Sequence, residues 1–292
     1  MRYQQNLLAG ALLVVVAEFC MASMGALVKL LGESMPNEMA VFARNLAGLL
    51  VLLPVLLSHR DFSLKTDCLH LHLLRSLAGL SAMYCFFYAI IHLPLADSML
   101  LKMTAPLFMP VIAIIWLSEG ITQWTVLALM LGFAGVWVIL DPTGEINWAI
   151  LVGIAGGLLA AIAKVSIRRL SRTEPNLRVV TYFALVGTVV SAGPAALSWT
   201  MPDINGIWLM VAIGVVGTLG QLALTRAYSI SNAGKVAPLT YFSVIFGGIY
   251  GFVFWGEIPQ DRFLLGALLI AVAGMLTIKK PAYRKPVSDT SL

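Results

Sequence analysis

Hydrophobic positions along this chain neither alternate nor recur as a single helical stripe. They run in long unbroken blocks, separated by short polar, Pro- or Gly-bearing stretches. Ten blocks are evident, near 7–29, 38–57, 73–92, 97–117, 124–140, 148–167, 178–199, 206–226, 234–255 and 262–279. Each approaches the roughly 20 residues that a helix needs to cross the hydrocarbon of a bilayer. Continuous runs without alternation exclude a β-barrel. Unpaired backbone groups cost too much in lipid, so the blocks are expected to be helical. The predicted fold class is therefore all-α integral membrane, with ten transmembrane helices. Connections are short and leave no room for a soluble domain.

Composition agrees with the pattern. Sixty per cent of the 292 residues are apolar and 11% charged, against roughly 25% charged in soluble domains. So much apolar residue cannot be hidden in one soluble core, and the partner it implies is the lipid bilayer. The net charge of +5 does not point to nucleic acid, because the basic residues gather at block ends. With the N-terminus inside, the inner ends hold Arg2, Arg60, Lys65, Arg75, Arg168, Arg169, Arg172, Arg178, Arg226, Lys235 and the basic tail, and the outer ends only Lys29 and Arg262. By the positive-inside rule both termini are cytoplasmic. The first block, interrupted by Glu18, is too long for a signal-peptide core and reads as a retained span.

The two halves repeat. At an offset of 139, Leu12 meets Leu151, Ala22 meets Ala161, Lys29 meets Arg168, Pro36-Asn37 meets Pro175-Asn176, and Gly48 meets Gly187. At 138, Ala89 meets Ala227 and Glu119 meets Glu257. This divides the chain into 1–141 and 142–280, five spans each, and a cytoplasmic tail, 281–292. Five is odd, so the second half enters the membrane from the opposite side. Such inverted repeats suit alternating access around a central site.

Phe86-Phe87-Tyr88-Ala89, Leu93-Pro94-Leu95-Ala96-Asp97, Thr104-Ala105-Pro106-Leu107-Phe108 and Leu117-Ser118-Glu119 resemble the first half of the EamA-type drug/metabolite transporter superfamily. Arg226-Ala227-Tyr228, Ala237-Pro238-Leu239 and Trp255-Gly256-Glu257 resemble its second half. The resemblance covers nearly the whole chain. It implies a multi-pass transporter of the bacterial inner membrane, acting on small molecules, with no cofactor; the family's solutes vary widely.

Charged residues inside spans are expensive and normally face the bundle interior or a watery cavity. Glu18, central in the first span, is the candidate for proton or ion coupling. Arg44 lies about 5 Å outward of the middle of the second span, and Lys102 about 7–8 Å outward of the middle of the fourth. At such similar depth they could form a positive patch for a carboxylate or phosphate. Lys164, near the cytoplasmic end of the sixth span, reads as a snorkelling residue. Glu119 and Glu257 read as helix-end structure common to both halves. Pro106 and Pro110 should break the fourth span, and Pro238 lies near the start of its repeat partner. Interrupted helices at equivalent positions point to a binding site. Near these breaks Thr104 and Tyr241 can offer hydrogen bonds; Tyr84, Tyr88 and Gln221 are further substrate-binding candidates.

Three free-standing cysteines show no metal spacing. In Cys68-Leu69-His70-Leu71-His72, His70 would point away from the other two on a helix. The glycine clusters at 153–157, 214–220 and 247–251 read as helix-packing faces and lack a phosphate-loop setting. No nucleophile–base pair or metal cluster suggests an enzyme. The expected function is secondary active transport of a small polar metabolite bearing a carboxylate or phosphate. The alternatives are an exporter of cationic or aromatic compounds and, in another class, a non-transporting scaffold or lipid flippase. Monomer and homodimer are both compatible with the sequence.

Overall fold

The structure, a computed structural model, describes residues 7–58, 63–117, 123–140, 147–170, 173–230, 237–258 and 260–279. Every regular element among them is helical: α1 (Leu7–Gly32), α2 (Asn37–Ser58), α3 (Leu69–His92), α4 (Leu95–Lys102), α5 (Ala105–Leu117) and α6 (Gln123–Leu140) come first. A further set follows: α7 (Trp148–Leu170), α8 (Asn176–Leu197), α9 (Ile204–Ile230), a 3-10 turn (Ala237–Tyr241), α10 (Phe242–Trp255) and α11 (Asp261–Lys279). Among the described residues six helices are long and apolar enough to cross a membrane: α1, α2, α3, α7, α8 and α9. Shorter apolar helices cover Val126–Val138 and Leu239–Trp255. The outward faces are correspondingly greasy: Leu57, Leu197, Trp208 and Val253 are among many large apolar side chains left exposed.

Local chemistry sets the ends. Pro94 and Pro175 sit just before α4 and α8 with extended ψ, where the missing N–H of proline costs nothing. Gly256 closes α10 at φ 64°, a left-handed conformation natural to glycine. The Glu257 N–H then donates to the Gly251 carbonyl at 3.1 Å. That reversal folds the Glu257 side chain back over α10, and a Cβ on Gly251 would lie 2.5 Å from its carboxylate oxygen.

The largest helix contacts run between the stretch before residue 141 and the stretch after 147: α1 with α9, α3 with α7, and α6 with α11. Small residues allow this closeness. Gly153 packs on Leu101, Gly156 on Cys85 and Phe86, and Gly220 on Cys20 and Ala17. Among the described residues the two largest buried clusters result from this packing. One centres on Val28, Leu31, Met39, Phe87, Leu95, Met99 and Ile213. The other centres on Leu100, Leu101, Leu107, Ile150, Ile270 and Ala273.

Candidate functional site

The fourth apolar block is split. The Met103 N–H donates to Leu100 O at 2.8 Å and the Thr104 N–H to Leu101 O at 3.1 Å, so α4 tightens and stops. A new helix begins at Ala105, and Pro106 occupies its first turn, where proline is tolerated. The break thus falls just ahead of Pro106 rather than at Pro110, which lies within α5. The ninth block is interrupted too: Pro238 belongs to the 3-10 turn that precedes α10.

Lys102 is the last residue of α4, where the carbonyl end of a helix favours a cation. Its ammonium faces Glu18 of α1 electrostatically, and Lys164 of α7 faces both. Glu18 is 5% exposed. The α7 helix reaches this point through Gly157, whose Cβ position lies only 2.0 Å from Thr104 Oγ1. Lys164 stands seven residues beyond Gly157, two turns along the same face. The result is a buried carboxylate that interacts electrostatically with two ammonium groups, Lys102 half-buried and Lys164 exposed, beside a broken helix. Lys164 keeps the exposure that a snorkelling residue has, and its charge also acts on Glu18 and Lys102.

Arg44 belongs elsewhere. Its charged neighbour is Arg75 of α3, whose guanidinium also lies 3.8 Å from the centre of the Phe183 ring on α8. The sequence places Arg75 at a span end, because the third apolar block begins near residue 73. The helix starts at Leu69, which carries Arg75 about 9 Å into it.

The remaining candidates separate by what their polar atoms touch. The Thr104 hydroxyl donates to Leu101 O at 2.7 Å, and Tyr241 donates to Ile270 O at 2.9 Å, so both hydroxyl protons are engaged within the protein. Tyr88 stacks on His92 with centroids 4.0 Å apart. Gln221 is exposed on α9. The Tyr84 hydroxyl is buried without a hydrogen-bond partner.

Two polar knots tie the stretches together at opposite ends of α3. At one, Lys29 pairs with Glu257 and donates to Leu93 O at 2.7 Å. The Leu95 N–H donates to Glu257 Oε2 at 2.7 Å, and the Trp255 indole N–H to Glu33 Oε1 at 2.9 Å. At the other, Glu174 accepts from the Thr66 hydroxyl and from Arg178 Nη1, both at 2.6 Å. Arg178 Nε donates to Ser63 O at 2.8 Å and Tyr182 to Leu64 O at 2.7 Å. The Thr66 hydrogen bond, and then the Arg178 guanidinium, hold the Glu174 carboxyl below the usual carboxylate range. His72, wholly buried, stacks on Tyr182, while His70 is exposed. None of these long-range ties has a local signature; Lys29 and Glu257 are 228 residues apart.

Comparison with known proteins agrees with this architecture. The pseudopaline exporter CntI of Pseudomonas aeruginosa is 34% identical over 268 residues, covering 91% of this chain and 94% of that one. The riboflavin transporter of Vibrio cholerae is 27% identical over 282 residues, with 94% of each chain covered. The S-adenosylmethionine uptake transporter of Rickettsia felis is 28% identical over 265 residues, covering 89% and 90%. One crystal structure superposes with a TM-score of 0.63 over 92% of this chain and 96% of its own, at 18% identity, which shows a shared fold. The family model described as the EamA-like transporter family matches residues 8–141 and 147–279. The chain is a multi-pass membrane protein that belongs to the EamA-like transporter family, a transporter group of the drug/metabolite superfamily and not an enzyme.

Proposed function

We propose that this protein is a secondary active transporter that moves a small polar metabolite across the bacterial inner membrane by alternating access. The observation that carries the reading is the Glu18–Lys102–Lys164 cluster at the meeting of α1, α4 and α7. Charges so placed are expensive unless they serve a solute or ion path. The two ammonium groups would hold a carboxylate or phosphate, and Glu18 would exchange protons or balance charge as the solute enters and leaves.

Ten spans in two inverted five-helix repeats, 1–141 and 142–280, follow from the same reading, with both termini cytoplasmic. Three observations support it. The family match falls in two stretches. The α4–α5 break at residues 103–104 and the junction of the 3-10 turn with α10 at 241–242 are 138 positions apart, since 241 − 103 = 138. The packing also maps onto itself when the halves are exchanged: α1 on α9 becomes α7 on α3, and α2 on α9 becomes α8 on α3. An exporter, a vitamin transporter and an uptake transporter are all among the relatives, so direction is left to experiment.

Reconstitution tests the reading. Proteoliposomes are loaded against labelled succinate, glutamate, riboflavin and a cationic dye, under imposed proton and solute gradients. Wild type is expected to move at least one anionic solute above the rate of empty liposomes. Glu18→Gln and Lys102→Gln should each reduce that rate at least tenfold while the thermal midpoint stays within a few degrees. Movement of the dye alone, abolished by Glu18→Gln, would replace the anion reading with cation export. No movement of any solute under either gradient would refute transport.

A further inference from the structure

We propose that Arg44 and Arg75 form a second anion site, separate from the Glu18 cluster: a two-guanidinium clamp that selects a doubly charged group, a dicarboxylate or a sulfate- or phosphate-type dianion. The inference deepens the transporter reading by naming the charge of its solute. It stands on geometry that neither helix shows alone.

The two arginines sit in the same short pattern, Arg44-Asn-Leu-Ala-Gly48 and Arg75-Ser-Leu-Ala-Gly79. Each side chain lies along its own helix over the glycine one turn on. Arg44 Nη1 is 3.4 Å from a Cβ built on Gly48, and Arg75 Nη1 is 3.0 Å from one built on Gly79. The Asn37 amide donates to the Tyr84 carbonyl at 3.1 Å, which ties the start of α2 to α3. From that tie Arg44 is seven residues along α2, about 10 Å, and Arg75 is nine residues back along α3, about 13 Å. The same two helices meet again where the Asn45 amide, next to Arg44, reaches Met83 Sδ at 3.8 Å, and the two cations interact electrostatically.

Among the described residues no carboxylate is ion-paired or hydrogen-bonded to either guanidinium, and Arg75 Nε and Nη1 are buried without a partner. The Phe183 ring holds the Arg75 fork from one side at 3.8 Å. Two like charges facing each other off water are unstable alone. A dianion reverses the sign of that interaction, and planar guanidinium forks match carboxylate, sulfate and phosphate oxygens two at a time. A monovalent anion would leave one charge uncompensated.

The test is thermal unfolding of the purified full-length protein in detergent, titrated with sodium succinate and sodium sulfate, against sodium acetate and chloride at matched ionic strength. Wild type should show a saturable rise of several degrees with the divalent anions, well above that with the monovalent ones. Arg44→Gln and Arg75→Gln should lose the rise, and their anion-free midpoints should equal or exceed wild type because repulsion is relieved. Lys65→Gln, at an exposed lysine, should keep the full response. Gly79→Ala guards against misfolding of the arginine variants. Its Cβ would crowd Arg75 Nη1 at 3.0 Å and Phe183 at 3.1 Å, so half-saturation should weaken several-fold with the fold intact. A divalent response that survives both glutamine variants, or one no larger than that of acetate, overturns the clamp. Solute transport without the divalent response sinks the clamp alone; the response without any transport keeps the site and sinks the transporter reading.

Discussion

Replacing Glu257 by Gln probes the knot that joins the C-terminal ends of α1 and α10 to the N-terminal end of α4. The carboxylate has two partners, Lys29 and the Leu95 N–H. Glutamine keeps an acceptor for the N–H and removes the charge facing Lys29. The side chains of Lys29 and Glu257 are 11% and 17% exposed, so the pair is nearer to the buried case than to the surface case. Breaking a buried pair by removing one partner costs about 3–5 kcal/mol, and a surface pair is worth about 0–1 kcal/mol. With Lys29 still bonded to Leu93 O and near the Trp255 ring at 5.2 Å, the expected loss is about 2 kcal/mol. At roughly 2–4 °C per kcal/mol for a protein of this size, the midpoint should fall by about 4–8 °C. A double-mutant cycle with Lys29→Met separates the pair from those other contacts of Lys29. The coupling energy should be about 1.5–2 kcal/mol. A coupling below about 0.5 kcal/mol would mean that the two side chains meet without holding the structure together, and the latch would be refuted.

Gly157→Ala would drive a methyl group into Thr104, whose Oγ1 lies 2.0 Å from the Cβ position; a loss of about 1–3 kcal/mol is expected, partly restored by adding Thr104→Ala, and no loss would contradict the close approach of α7. Tyr241→Phe deletes the hydrogen bond to Ile270 O and should cost about 1 kcal/mol, read as a fall of a few degrees in midpoint with transport kept. The folded Glu174 carboxyl is held below its ordinary value by Thr66 and Arg178, so its contribution is complete above the ordinary carboxylate range and is lost as pH falls through the folded value. Midpoints at pH 7 and pH 4 should therefore fall less in Glu174→Gln than in wild type; an equal fall would show that Glu174 is not a determinant of acid sensitivity.

Much of the fold is legible in the sequence because lipid imposes a length and a composition on each helix. The block at 148–167 becomes α7 and the block at 124–140 becomes α6 with ends shifted by a few residues. The third block is legible only from residue 73, whereas α3 begins at Leu69 and His72 is wholly buried against Tyr182. That difference hides the depth of Arg75. The prolines mark the right block for a break, but the turn is made by Met103 and Thr104, just before Pro106 and about two turns ahead of Pro110. Glu18 and Lys102 are readable as intramembrane charges. Their neighbour Lys164 is not, since only the α7 glycine face brings it to them. The Arg-x-Leu-Ala-Gly pattern on α2 and α3 was present in the sequence and is the local signal that could have revealed Arg75.

Alternating access by two inverted halves is tested most directly by two distances measured in one protein. Cys20, Cys68 and Cys85 are first replaced by Ser. Spin labels are then placed at Ser34 and Asp261 for one end, and in a second sample at Thr173 and Gln123, all exposed positions. The pairs are repeat equivalents, since 34 + 139 = 173 and 123 + 138 = 261. Pulsed electron–electron distance measurements are made in lipid nanodiscs, with and without Glu257→Gln to release the knot at the first end. The account predicts that releasing it lengthens the Ser34–Asp261 distance while the Thr173–Gln123 distance shortens. Two distances that stay fixed, or that lengthen together, would contradict it.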